Sequence, residues 1–274
     1  MSEQFKQYDE LSFTDDFLFC KVLENNEDLC KELLELILKK KISRIEYLAK
    51  QKTIDITSDG KGIRLDVYLE DAENTVFDIE MQAAKNRNLP KRTRYYQGMI
   101  DLNLIEKGAD YSALKKSYII FICLVNPYKE KNLHLYTFEN RCGEDGELLL
   151  GDESVKVFLT PDGIADDVSE ELADFLNYLA GRGGSSSFVK RLDEAINRAK
   201  GREEWRMEYM TLFMRDREKF EEGRAEGRAE SHISIIRKMI AKDYSREAIL
   251  DLGFTEEEYA EAEKAPDEYS SKTT

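Results

Sequence analysis

The chain has 274 residues, 41% hydrophobic and 35% charged, and 41 Lys and Arg against 56 Asp and Glu leave a net charge of -15. That length predicts one catalytic-sized domain with an appendage, and the longest apolar run, Tyr118 to Val125, is too short to span a bilayer. The acidic balance argues against binding nucleic acid by bulk electrostatics, so such binding needs a local basic patch.

Ser12 to Asp15 reads as the cap of a short helix ending near Glu24, and Leu29, Leu33, Leu36 and Ile37 mark a second helix from Glu27 to Lys39. Alternation over Lys52 to Thr57 suggests a first strand. Two strands of clear period two follow. In Ile63 to Leu69, Ile63, Leu65, Val67 and Leu69 share one face, and Arg64, Asp66 and Tyr68 the other. In Thr75 to Gln82, Phe77, Ile79 and Met81 alternate against Val76, Asp78, Glu80 and Gln82. With the polar turn Glu70 to Asn74, the pair predicts an antiparallel hairpin with one apolar and one acid-bearing face.

Pro90 stands where a helix can begin, and Arg92 to Lys107 is helical in pattern. Tyr118 to Val125 reads as a buried strand, and Leu133 to Phe138 and Val155 to Leu159 as further strands. This order predicts an α/β class, a mixed sheet flanked by helices. Ser169 to Leu179 is a helix, and Gly181 to Ser187 a flexible break. Phe188 to Glu222 then reads as one long charged helix or two, and the repeat Gly223 to Glu230 as a weak helical linker. Ile233, Ile236, Met239 and Ile240, followed by the cap Thr255 to Glu258, predict a small helical tail. The expected division is 1–182, 183–232 and 233–274, the last two forming a C-terminal helical extension suited to self-association.

Two histidines, His134 and His232, leave little for a zinc hydrolase or a Ser-His relay. The four cysteines form no Cys-x-x-Cys pair, so free thiols are expected, with Cys123 in the core. A polar start with no secretory segment points to a cytoplasmic protein. Chemistry must therefore rest on carboxylates. Glu80 and Gln82, two apart on a strand, point the same way, and hairpin pairing brings Asp66 beside them. With the backbone carbonyl of Met81 they form an oxygen-rich set suited to Mg²⁺ or Mn²⁺. By spacing alone, Asp66 and Glu80 read better as two acids on a wet sheet face, because acids are abundant in this chain and Asp-x(n)-Glu-x-Gln is a loose string. The context favours the metal: Lys85, Arg87, Lys91, Arg92 and Arg94 follow with no acid among them, and Tyr95 and Tyr96 sit on the same helix, a candidate DNA-binding surface.

Thr14-Asp-Asp-Phe-Leu-Phe19, Leu65-Asp-Val67, Asp78-Ile-Glu-Met-Gln82, Leu89-Pro-Lys-Arg-Thr-Arg-Tyr-Tyr96 and Gly108-Ala-Asp-Tyr-Ser-Ala-Leu-Lys115, in that order and spacing, resemble the recombination-promoting nuclease/transposase (Rpn) family within the PD-(D/E)XK nuclease superfamily. The resemblance implies a restriction-endonuclease-like fold, metal-dependent DNA endonuclease activity, and links to recombination or mobile elements. It makes Asp66 and Glu80 metal ligands, with Asp16 or Glu32 as candidate additions. It also sets Gln82 where the superfamily uses lysine, and an amide cannot supply positive charge. The alternative is an interaction module that keeps the fold, lacks strong catalysis, and binds itself or a partner through its C-terminal helices. A DDE-type transposase fits poorly, since its acids lie on strands well separated in sequence.

Overall fold

The computed structural model describes residues 6–54, 62–85 and 88–264, with the side chains of all of these except 47–51. The chain divides into two compact units, Met1–Arg206 and Met207–Thr274.

The first unit begins with two helices, α1 (Asp16–Glu24) and α2 (Glu27–Leu38), followed by the strands β1 (Ile45–Ile54), β2 (Ile63–Asp71) and β3 (Val76–Gln82). Helix α3 (Leu89–Leu104) leads into β4 (Ser117–Cys123), β5 (Leu135–Phe138) and β6 (Ser154–Leu159), and α4 (Glu170–Leu179) and α5 (Ser187–Lys200) follow. Among the described residues the strands form one six-stranded mixed sheet in the order β1-β2-β3-β4-β6-β5. The β1–β2, β2–β3 and β5–β6 pairs are antiparallel, and β3–β4 and β4–β6 parallel. The first strand thus starts earlier than the alternation over Lys52 to Thr57 suggests, because it pairs along the whole of β2; residues 55–57 lie outside the described residues.

The hairpin joining β2 to β3 closes on Asp71, whose carboxylate accepts from the N–H groups of Glu73 and Thr75 at 3.0 and 2.9 Å. Asn74 takes the left-handed conformation there (φ 60°), which an Asn side chain tolerates better than most. A parallel neighbour cannot be reached by a hairpin, so β3 reaches β4 through α3, whose first turn holds Pro90.

One sheet face is covered by α1 and α2, which pack on β1 and join α4 and α5 in a helical layer. Its aromatic seam runs Phe19, Phe13, Phe175, Phe188, in edge-to-face contacts at 5.3, 6.3 and 5.5 Å. The other face is covered by α3: Leu89, Tyr96, Met99 and Ile100 form one cluster with Tyr68, Val76, Ile119, Phe121 and Phe158. The strand face that carries Asp78 and Glu80 is therefore no wet surface. Residues 188–222 resolve into two helices, α5 and α6 (Glu203–Ile240). The Gly223 to Glu230 repeat lies within α6 as unbroken helix.

The second unit is helical. Ile236 of α6, Ile249 of α7 (Arg246–Asp251) and Ala262 of α8 (Glu256–Lys264) form its core. The Thr255 hydroxyl accepts from the Glu258 N–H at 3.2 Å, while the Glu258 carboxylate accepts from the Thr255 N–H at 2.8 Å, a complete capping box. Among the described residues no helix is long and apolar enough to cross a membrane.

Candidate active site

The β2–β3 ladder runs from Glu70↔Val76 to Val67↔Ile79, and the next pair in that register is Asp66 and Glu80. There the bonding changes hands. The Asp66 N–H donates to Glu80 Oε1 at 2.9 Å, and the Met81 N–H donates to Asp66 Oδ2 at 3.1 Å. Each carboxylate takes an N–H that a carbonyl of the opposite strand takes elsewhere in such a ladder. Beyond this point β2 stays with β1 as far as Ile63↔Ile54, while β3 stays with β4 as far as Gln82↔Cys123. The sheet forks, and Asp66 and Glu80 sit in the fork.

Both acids are desolvated: Asp66 is 7% exposed and Glu80 1%, which disposes of the wet-face reading. Burial, then the charges of Glu80 and Asp16, push the Asp66 carboxyl up to about 9. Burial lifts Glu80 to about 7, against the pull of Arg92. Arg92, on α3, donates from Nη2 to Glu80 Oε2 at 2.6 Å and from Nη1 to Gln82 Oε1 at 3.0 Å. The Gln82 amide nitrogen is spent on the Ala84 carbonyl at 2.7 Å. Gln82 therefore faces the acids as an acceptor, and the local positive charge comes from the helix.

Asp78 shares its strand face with Glu80 and was singled out by no spacing argument. It is 0% exposed, and neither carboxyl oxygen has a donor. Burial, with Glu80 and Asp66 nearby, pushes its carboxyl well above the usual range. A protonated Asp78 turns from an orphaned acceptor into a donor for Glu80, which resolves the imbalance. The signal in sequence was present only as the alternation Asp78, Glu80, Gln82; that α3 would bury this face was not legible.

Asp16 and Cys20, one turn apart on α1, complete the cluster. A carboxylate oxygen of Asp16, the Cys20 sulfur and a carboxylate oxygen of Asp66 lie within 4.8 Å of one another. Asp16 also pairs with Arg64 at 3.2 Å. The Cys20 thiol donates to the Asp66 carbonyl at 3.4 Å, and burial raises its pKa strongly, so it stays protonated. Carboxyls held above their ordinary pKa by burial first and by neighbouring negative charge second form a donor set that a divalent cation would relieve, and their hard oxygens suit Mg²⁺ or Mn²⁺. The residues fit such an ion. Glu32 is elsewhere: it pairs with Arg191 of α5, within the helical layer.

A cleft of about 660 Å³ beside the fork is lined by Arg64, Asn88, Lys91, Arg92, Tyr95 and Tyr96, with Gly62 and Ile63. Three cations and no acid line it, in a chain of net charge -15. Tyr95 is exposed, whereas Tyr96 is buried against Phe121 and accepts from Arg92 Nε at 2.7 Å. Lys85 and Arg94 are exposed outside that lining; Arg87 lies outside the described residues.

No curated protein and no solved structure matches the chain. Residues 13–145, a span holding the fork, Asp16 and Arg92, are similar to the family whose model is described as PD-(D/E)XK nuclease family transposase.

Proposed function

We propose that the first unit is a divalent-metal-dependent DNA endonuclease serving recombination or mobile elements. The observation that carries this reading is the forked sheet: two buried carboxylates cross-bridge its strands beside an acid-free cationic cleft. Asp66, Glu80 and the Met81 carbonyl would hold Mg²⁺ or Mn²⁺, with Asp16 as a further oxygen. A bound divalent ion lowers the pKa of a water and offsets charge on a phosphodiester. The overall reaction adds water across one ester P–O bond, leaving an alcohol and a phosphomonoester. Lys91, Arg92 and Tyr95 would receive the DNA in the cleft, and Lys85 and Arg94 its flanking phosphates. Tyr96 acts from behind, as an anchor for Arg92.

A second reading, an interaction module with little catalysis, draws on the uncharged Gln82 and on the exposed Met207, Met214 and Phe220 of α6, a surface suited to self-association. Plasmid cleavage in Mg²⁺ or Mn²⁺, together with Mn²⁺ titration calorimetry, separates the two. The nuclease reading expects cleavage and binding that both vanish in Asp66→Ala and Glu80→Ala. Cleavage surviving both substitutions, or a wild-type protein that neither binds Mn²⁺ nor cuts, overturns it.

A further inference from the structure

We propose that Arg92 is the catalytic cation of this site, donating to the scissile phosphate, and that Gln82 and Tyr96 are the positioning residues that aim it. The inference rests on the hydrolase reading above and adds the residue that meets the developing negative charge.

Hydrolysis of a phosphodiester places extra charge on the non-bridging oxygens, and preorganised donors at that point lower the barrier. Around the fork, the acids outnumber the cations. Gln82, on the face of Glu80, is neutral, with its only donor group turned to the Ala84 carbonyl. Arg64 pairs with Asp16 and its side chain is 54% exposed. Among the described residues, Arg92 is the cation within hydrogen-bond distance of Glu80.

Its geometry is that of an aimed group rather than a surface charge. A guanidinium carries five N–H donors in a rigid plane. Here one each from Nε, Nη1 and Nη2 go to Tyr96, Gln82 and Glu80, which leaves two for a substrate. The Arg92 guanidinium carbon lies 4.9 Å from the Tyr96 ring centre and 5.1 Å from that of Phe121, so cation–π attraction to two rings adds to these bonds. The side chain is 32% exposed and lines the cleft. Arg92 therefore links the buried acid to the surface on which a phosphate would lie. Its spacing from Tyr96, one helical turn, puts both on the stripe of α3 that faces the sheet.

The same contact has a second consequence. Because Arg92 occupies Glu80 Oε2, it competes with a divalent cation for that oxygen. Removing it should leave Mn²⁺ affinity unchanged or higher, while a merely structural arginine would lower affinity and turnover together.

The test compares wild type, Arg92→Lys, Arg92→Met and Tyr96→Phe by steady-state cleavage of an oligonucleotide duplex and by Mn²⁺ calorimetry on the full chain. The expected result for Arg92→Met is a kcat lower by about 100-fold or more, a KM within a few-fold of wild type, and Mn²⁺ binding at least as tight. Arg92→Lys should recover part of kcat, because it restores the charge without the fork, and Tyr96→Phe should lower kcat with KM unchanged. Wild-type cleavage matched by Arg92→Met overturns this assignment alone. Loss of Mn²⁺ binding in both Arg92 variants also overturns it, in favour of a structural role. Absence of cleavage by wild type overturns the hydrolase reading on which it rests.

Discussion

Asp66→Asn should make the metal-free protein more stable, and increasingly so as pH rises. The folded Asp66 carboxyl keeps its proton up to about 9, while the ordinary value is 3.8. Between those values the folded state binds more protons than the unfolded one, so rising pH favours unfolding. Each pH unit in the window is worth about 1.4 kcal/mol. At pH 8, roughly four units above the unfolded value, an isolated acid would cost about 6 kcal/mol. Glu80, lifted to about 7, shares the repulsion, and one proton relieves both groups. The cost specific to Asp66 is then about 3 kcal/mol at pH 8 and under about 1 kcal/mol at pH 5. Asparagine keeps an oxygen for the Met81 N–H and presents its NH₂ to the Asp16 side, so the substitution removes charge with little loss of bonding. Thermal melts in EDTA from pH 5 to pH 8 should show the variant gaining, with a lead at pH 8 of about 6 to 12 °C. Adding Mn²⁺ at about 100 times its Kd should raise the wild type by about 2.7 kcal/mol and leave the variant where it was. A difference that does not change with pH, or a variant less stable at pH 8, would refute this account of the buried acids.

Glu32→Ala should alter stability by less than about 1 kcal/mol, because its pair with Arg191 is partly exposed, and calorimetry should find Mn²⁺ binding unchanged; a loss of binding would return Glu32 to the metal site. Phe175→Ala removes a ring buried between Phe13 and Phe188 and should cost about 3 to 5 kcal/mol in urea unfolding. Lys91→Ala should weaken DNA binding equally across sequences and reduce the slope of log K against log salt by about 1, measured by fluorescence anisotropy; an unchanged slope would remove Lys91 from the phosphate path.

Local patterning carries a good part of this architecture. Alternation in Ile63 to Leu69 and Thr75 to Gln82, joined by a short polar turn, is enough to pair β2 with β3 and to make Asp66 the neighbour of Glu80, because a two-residue period leaves few registers that bury one face. Helical spacing similarly marks α1, α2 and α4. The alternative registers and lengths that local signals leave open appear at β1, which begins at Ile45, and at α6, which runs through two glycines to Ile240.

Whether the acid-bearing face meets water or protein is a different kind of question, since period two assigns residues to faces without saying what covers each face. Packing of α3 onto the face of Glu80 buried that acid, left Asp78 without a donor, and brought Arg92 to Glu80 from twelve residues away. Packing of α1 brought Asp16 and Cys20 to Asp66, while α5 drew Glu32 away to Arg191. The chain's own order therefore determined which carboxylates meet across the hairpin, through short-range steric and hydrophobic periodicity. Only the tertiary structure decided their charge state and their cation, because both depend on solvent exclusion by elements distant along the chain.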